Sequence, residues 1–154
     1  MLAAPRFPMT ATLAVAVLLA LIAGSPRGHG RDQVLSLLST RQTVLEQPIV
    51  YPTEGPAKVA AAIVTMQPGE ETGWHQHDVP MFGYVLEGEV TVDYGAGGAR
   101  VYRQGDALVE AIDVPHNGRN TGKGEARILS VFMGAEGVPD TEMLPQHPAA
   151  AAPQ

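Results

Sequence analysis

The stretch Gly73-Trp74-His75-Gln76-His77 decides how this chain is interpreted. Alternate side chains of an extended strand share a face, so His75 and His77 offer two imidazole nitrogens to one centre. A third histidine, His116, follows much later, after a second block of strand-like sequence. Two ligands rarely hold a metal, whereas three histidines suit zinc, iron, copper or nickel. The pattern therefore predicts that folding brings His116 back against the pair.

Short extended runs flank this stretch on both sides. Thirteen prolines and seventeen glycines cut the 154 residues into short pieces, which favours an all-β protein with one domain. Regularly spaced strands with Gly-rich turns indicate a sandwich or a barrel. The predicted strands cover residues 34–38, 48–52, 58–66, 81–86, 89–94, 100–103, 107–112 and 126–133.

The charge and the cysteine count exclude several classes of function. The formal net charge is -6, and Lys and Arg are scattered singly, so a nucleic-acid-binding surface is not expected. Cysteine is absent, which excludes disulfides and thiolate metal sites. No Gly-rich phosphate loop and no Ser or Cys nucleophile beside a histidine is found, so nucleotide-dependent and acyl-transfer enzymes are set aside.

The two ends of the chain differ from its middle. Residues 1–25, with Arg6 followed by an apolar stretch, predict either a signal peptide for a periplasmic or secreted protein or an uncleaved N-terminal anchor. Contact with a membrane is expected only through that segment. Residues 26–33 resemble a linker, residues 34–137 form the predicted domain, and residues 138–154 form a Pro- and Ala-rich tail predicted to be disordered. His29 and His147, in the linker and the tail, are expected to be solvated.

Two groups of residues resemble the motifs of the cupin family. Gly69, His75, His77, Met81 and Gly88 have the spacing of the first cupin motif. Gly105, His116 and Asn120 resemble the second motif. The resemblance covers roughly residues 52–134 and implies a double-stranded β-helix, also called a jelly-roll barrel, with one metal pocket inside. The family also implies a homodimer, in which edge strands often pair between subunits.

By this resemblance the three histidines bind one divalent transition metal, either Fe, Cu, Zn, Mn or Ni. Met81 stands where most metal-binding cupins have a glutamate ligand, and Ala111 and Asp113 replace the Pro and Gly of the second motif. A thioether cannot lower the charge of the ion or act as a base, and its soft sulfur prefers copper. Met81 is therefore either a weak ligand or an apolar side chain that packs at the barrel mouth.

Residues near the motifs are candidates for the substrate pocket. Trp74, Phe82 and Tyr84 could line the entrance or pack in the core. Arg119 is the nearby cation that could hold a substrate carboxylate, with a surface position as its alternative. Asn120 is expected to brace the pocket or its turn.

Acidic residues near His116 are weaker candidates. Glu110 and Asp113 could orient an imidazole, although solvated carboxylates are expected, and Asp78 should face away from the histidine pair. The sequence assigns no catalytic residue.

Three functional hypotheses follow. The first is an exported cupin that binds a metal through three histidines and acts as a dioxygenase-like oxidoreductase on a small chelating organic molecule. The second is a non-catalytic module that binds a metal or a small ligand. The third is a metal-free cupin that isomerises or binds a sugar derivative with a histidine as base.

Overall fold

The computed structural model describes residues 34–145. The targeting segment, the linker, His29, His147 and residues 146–154 lie outside this range. The described part contains nine β-strands and a short 3-10 turn but no α-helix, so the all-β prediction is confirmed. No helix in it is long and apolar enough to cross a membrane. The strands are β1 (Ala57–Met66), β2 (His75–Gln76), β3 (Met81–Glu87), β4 (Glu89–Asp93), β5 (Ala99–Arg103), β6 (Ala107–Val109), β7 (Asn117–Asn120), β8 (Ala126–Ala135) and β9 (Glu142–Met143), and the 3-10 turn covers Gly95–Gly97.

Two antiparallel sheets form the barrel. One has the strand order β1-β8-β3-β6 and the other β5-β4-β7, while β2 and β9 form a separate pair. Alternate apolar side chains of both sheets face a shared interior, including Met66 and Val85 from the first sheet and Val90 and Val92 from the second. This arrangement is the predicted jelly-roll barrel, or double-stranded β-helix.

A tight turn at Glu87-Gly88 carries the chain from the first sheet into the second. Gly88 has a φ of +80°, and a Cβ built there would lie 2.6 Å from the carbonyl oxygen of Glu125. Only glycine adopts this backbone conformation without strain and leaves room for the neighbouring chain.

The predicted strands at residues 34–38 and 48–52 are wrong. The first of these runs is exposed, with Leu35 81% accessible, so no burial of apolar side chains stabilises a strand there. The segment between the two runs instead covers the edge next to β6. The Val44 amide donates to the Val109 carbonyl at 2.9 Å, and the side-chain amide of Gln47 donates to the Ile112 carbonyl at 2.8 Å.

Two strands were not predicted. β7 contains Asn and Gly, which are poor strand formers, and it forms because β4 offers an unpaired edge. β9 pairs with β2, so the tail predicted from residue 138 begins too early. Residues 138–145 pack against the barrel, because Leu144 donates to the Trp74 carbonyl at 2.9 Å and Lys58 forms an ion pair with Asp140 at 2.7 Å.

Candidate metal centre

A backbone bridge brings the early and the late histidine together. The His75 amide donates to the His116 carbonyl at 3.0 Å, and the His116 amide donates to the His75 carbonyl at 2.8 Å. Directly opposed residues of an antiparallel bridge have their side chains on one face. His77 follows two residues after His75 and joins the same face. The ring centroids lie 4.3 Å apart for His75 and His116, and 5.0 Å apart for each pair that includes His77.

Hydrogen bonds fix the same tautomer in all three rings. Each Nδ1 lies within hydrogen-bonding distance of a backbone carbonyl, which can only accept, so Nδ1 carries the hydrogen and Nε2 keeps a free lone pair. Metal-binding histidines are usually oriented in this way. The acceptors are Gly73 for His75 at 2.8 Å, Asp140 for His77 at 3.0 Å and Val114 for His116 at 2.8 Å.

The three side chains fit a metal ion. Their ligand atoms all lie within 4.8 Å of one another, and this is the cluster with metal-binding spacing among residues 34–145. Nε2 of His116 is fully enclosed and has no hydrogen-bond partner in that range. An unsatisfied buried nitrogen costs free energy, and coordination of a metal would remove that cost.

Burial keeps the three imidazoles neutral. Desolvation lowers the pKa of His75, His77 and His116 below the ordinary value of 6.5. For His77, desolvation and then the neighbouring His116 and His75 lower the pKa to about 3. All three rings are therefore free of the competing proton near neutral pH, which favours metal binding.

The histidines open into a cavity of about 310 Å³ inside the barrel. Its walls are mostly apolar and come from both sheets, which suits a small organic ligand. The lining includes Val64, Met66, Thr72, Met81, Gly83, Val85, Val90, Val92, Tyr102, Leu108, Glu110, Gly118, Ile128, Ser130, Phe132, Thr141 and Met143.

The predicted pocket residues on β3 lie on the face of the strand that points away from the cavity. Met81, Gly83 and Val85 line the cavity, whereas Phe82 and Tyr84 do not. Their assignment to the pocket was wrong, because both faces of this strand are apolar and the sequence does not say which face is inside. Met81 is buried and lines the same cavity as the three histidines, a position that suits either a ligand or a packing residue. Ligation by its sulfur remains a prediction.

Three other predicted pocket residues also lie outside the lining. Trp74 is half-buried next to His75. The side chain of Arg119 is 58% accessible, and its guanidinium lies 3.7 Å from Glu71. Asn120 is buried but acts on the backbone: its Nδ2 donates to the carbonyls of Met66 and Gly124, both at 2.8 Å. Asn120 thus braces its turn, and Arg119 takes the surface position that was its alternative.

Glu110 is buried, contrary to its prediction. This residue is 4% accessible, whereas a solvated carboxylate was expected. Its Oε1 accepts from the Tyr94 hydroxyl at 2.6 Å and from the Ala111 amide at 3.0 Å. The hydroxyls of Tyr94 and Tyr102 lie 3.1 Å apart. Burial raises the pKa of the Glu110 carboxyl and of both phenols. Asp113 is exposed, as predicted.

A signal for Glu110 is present in the sequence. Leu108 and Glu110 alternate with Val109, so a cavity-facing Leu108 places Glu110 on the same face. The interpretation failed because charged residues are usually solvated. The partner that makes burial tolerable, Tyr94, comes from the other sheet.

Comparison with known structures gives relatives at modest similarity. The chain is 28% identical to an oxalate decarboxylase from Lactobacillus farciminis, with a TM-score of 0.47, over 56% of this chain and 26% of that one. It is 24% identical to the DMSP lyase DddQ from Ruegeria pomeroyi, with a TM-score of 0.48, over 55% of this chain and 42% of that one. The chain thus spans less than half of either protein.

A third structure covers more of the chain. An uncharacterized conserved protein with a double-stranded β-helix domain from Klebsiella pneumoniae is 18% identical, with a TM-score of 0.49, over 77% of this chain and 97% of that one. No curated protein matches the sequence. The sequence profile of the cupin domain matches residues 62–132, which include all three histidines and most of the barrel strands. Residues 62–132 of this chain are therefore a cupin domain.

Proposed function

We propose that this protein binds one divalent transition metal through Nε2 of His75, His77 and His116, and that it oxidises a small chelating organic molecule in the adjoining cavity with dioxygen. The observation that carries the proposal is the orphaned Nε2 of His116, which is enclosed beside two further histidines of the same tautomer. Three neutral ligands leave the full charge on a divalent ion and leave coordination positions open.

The surroundings suit a dioxygenase. A bound ion would act as a Lewis acid toward two oxygens of the ligand. The apolar walls exclude water from the organic part, and Phe132 packs against His77 with ring centroids 5.3 Å apart. In a dioxygenation both oxygen atoms enter the product and all the electrons come from the organic molecule. The reaction therefore needs no external reductant, and this chain need not supply one.

A second candidate belongs to another class. A non-catalytic module would hold the metal and the ligand without turnover. It is favoured by the composition of the cluster, since no carboxylate lies within ligand distance of the three histidines in the part of the chain that the structure describes. The two candidates share the metal and the cavity, and turnover separates them.

Metal content tests the shared part of the proposal. The full chain, purified without a histidine tag, should contain about one transition-metal ion per chain by elemental analysis. His77→Ala and His116→Ala should each lose most of it, because two remaining imidazoles rarely hold an ion. His147→Ala is the matched control, since this histidine was predicted to be solvated in the tail, and it should keep the metal.

Oxygen consumption tests the finer part. The metal-loaded protein should consume one dioxygen for each molecule of a diketone, flavonol or thiol acid that it converts, and His116→Ala should not. Metal-loaded protein that binds these compounds but leaves them unchanged would favour the non-catalytic module. Equal metal content in the control and in the His116→Ala protein would contradict both candidates.

The expected location and assembly are also proposals. We propose export directed by residues 1–25, which cell fractionation and N-terminal sequencing of the isolated protein would test. A homodimer is proposed from the family, and light scattering at several protein concentrations would test it.

A further inference from the structure

Among residues 34–145, Glu110 is the one carboxylate that lines the cavity. The other polar side chains of the lining, apart from the histidines, are uncharged hydroxyl groups, on Thr72, Ser130, Thr141 and Tyr102. No ion pair found within residues 34–145 includes Glu110, and Arg100 acts on it only at longer range. A buried carboxylate that forms no ion pair is costly, so its presence calls for a specific role.

The two oxygens of Glu110 have different environments. Oε1 accepts both hydrogen bonds, from the Tyr94 hydroxyl and from the Ala111 amide. Oε2 accepts none from the described residues. Among the described residues, the fully enclosed polar side-chain atoms without a hydrogen-bond partner are Nε2 of His116 and Oδ1 of Asp140. Oε2 of Glu110 has no partner either but is not one of them, so it is not fully enclosed and borders open space. Because Glu110 lines the cavity, that space is the ligand cavity.

Two tyrosines hold this carboxylate in place. The Tyr94 hydroxyl uses its hydrogen on Glu110, so the Tyr102 hydroxyl donates to the Tyr94 oxygen at 3.1 Å. Tyr94 packs beside the histidines, with its ring centroid 5.7 Å from that of His116. The two hydroxyl groups therefore hold Oε1 of Glu110 in place next to the histidines, and Oε2 can accept a hydrogen bond from another donor.

The position of Glu110 relative to Met81 adds a second argument. The Glu110 amide donates to the Met81 carbonyl at 2.8 Å, which continues the pairing of Phe82 with Val109. Met81 and Glu110 are thus opposed on neighbouring segments, and both side chains line the cavity. Met81 occupies the place of the motif glutamate, so the carboxylate of this barrel comes from the adjacent segment. It lies outside the ligand cluster of the histidines.

We infer that Oε2 of Glu110 accepts the hydroxyl hydrogen of the organic ligand, and that the substrate class is a small, largely apolar molecule whose chelating oxygen pair includes a hydroxyl or enol group. This inference rests on the proposed function, because the metal holds the chelating oxygens. When the hydroxyl ionises, its O–H bond breaks, an O–H bond forms at Oε2 and no electrons are transferred. A cavity of about 310 Å³ lies at the small end of ligand pockets.

Binding of a coloured chelator to the zinc-loaded protein tests the inference without turnover. The probes are 4-nitrocatechol, whose absorption changes on ionisation, and the smaller hydroxypyrone maltol. Glu110→Gln should keep the zinc content of the unmodified protein and bind 4-nitrocatechol about 10- to 100-fold more weakly, because a hydrogen bond to a charged group is lost. The bound probe should also shift toward its protonated form.

Two further variants complete the design. Glu87→Gln makes the same chemical change at an exposed position and should bind as the unmodified protein does. Tyr94→Phe keeps the carboxylate but removes its hydroxyl partner, and it should weaken probe binding by a smaller factor. It also provides a result if Glu110→Gln fails to fold.

Each outcome is decisive. Unchanged probe affinity in Glu110→Gln with full zinc, or, where that protein does not fold, in Tyr94→Phe, would overturn the inference and leave the metal site standing. So would failure of the zinc-loaded unmodified protein to bind either probe. Loss of zinc from Glu110→Gln would show that Glu110 supports the metal rather than the ligand, which also overturns it. Absence of zinc binding in the unmodified protein would refute the proposed function and the inference with it.

Discussion

Acid should destabilise the metal-free protein through His77, and the size of this effect follows from its burial. The pKa of His77 is lowered from 6.5 to about 3, first by desolvation and then by His116 and His75. The unfolded chain therefore binds a proton below pH 6.5 that the folded chain does not. The stability is fully present above pH 6.5, falls as the pH decreases, and levels off below about pH 3.

The magnitude at pH 5 can be worked out. The distance from 6.5 to 5 is about 1.5 pH units, and each unit corresponds to about 1.36 kcal/mol, so His77 alone should lower the free energy of unfolding by about 2 kcal/mol. Glu110 acts in the opposite direction, since burial raises its pKa and folding then favours its protonation. A comparison with a variant that lacks only His77 cancels this contribution.

Urea unfolding at pH 7 and pH 5, after treatment with a chelator, provides the measurement. The unmodified protein should lose about 2 kcal/mol more between these pH values than His77→Gln, whose side chain does not titrate. Circular dichroism can follow the transition in both proteins. A pH dependence that is the same in both proteins, within about 0.5 kcal/mol, would show that His77 is solvated or charged in the fold and would refute the reasoning.

Four further predictions concern the metal, the pocket and the turns. At pH 6 ordinary histidines are about three-quarters protonated, so three of them would release about two protons on binding zinc. Because burial lowers the pKa of all three rings, this site should release fewer protons by calorimetry in two buffers, and a release of about two would contradict this expectation. Met81→Glu should destabilise the metal-free protein by about 2 kcal/mol or more and increase the rise in Tm caused by zinc; equal rises in both proteins would contradict this expectation. Asn120→Ala should lower the free energy of unfolding by about 2–4 kcal/mol, because the buried carbonyl of Met66 and the carbonyl of Gly124 lose their donor; a loss below about 1 kcal/mol would count against that role. In urea unfolding, Gly88→Ala should lower the free energy of unfolding more than Gly69→Ala does, because both glycines have positive φ but only Gly88 is crowded by a neighbouring segment. An equal loss in both variants would indicate that the neighbouring segment moves aside.

Much of the barrel was predictable from local patterns. The alternation in β4 and the long apolar runs of β1 and β8 predict strands wherever they lie in the fold, although most of β1 is exposed. The spacing of the histidines predicted a cluster, because a strand period of two fixes His75 against His77. The late partner, His116, was assigned from the second motif. Its backbone bridge to His75 supplies the physical reason for the contact.

The failures came from facts that only the tertiary structure supplies. β3 is apolar on both faces, so Phe82 and Tyr84 could not be distinguished from Met81 and Val85 by composition. β7 is polar and forms only because β4 is beside it. Glu110 required knowledge of Tyr94, which approaches it from the opposite sheet. In each case the deciding neighbour is distant in sequence.

The carbonyl of Asp140, which orients the His77 ring at 3.0 Å, has a consequence for truncated chains. Both sheets are complete by Ala135, but the imidazole gains its anchor only when residues 138–145 pack against the barrel. A chain that ended just before Asp140 would keep every strand of the two sheets and would lack the anchor of one candidate ligand. The capacity to bind a metal should therefore distinguish full-length molecules from truncated ones.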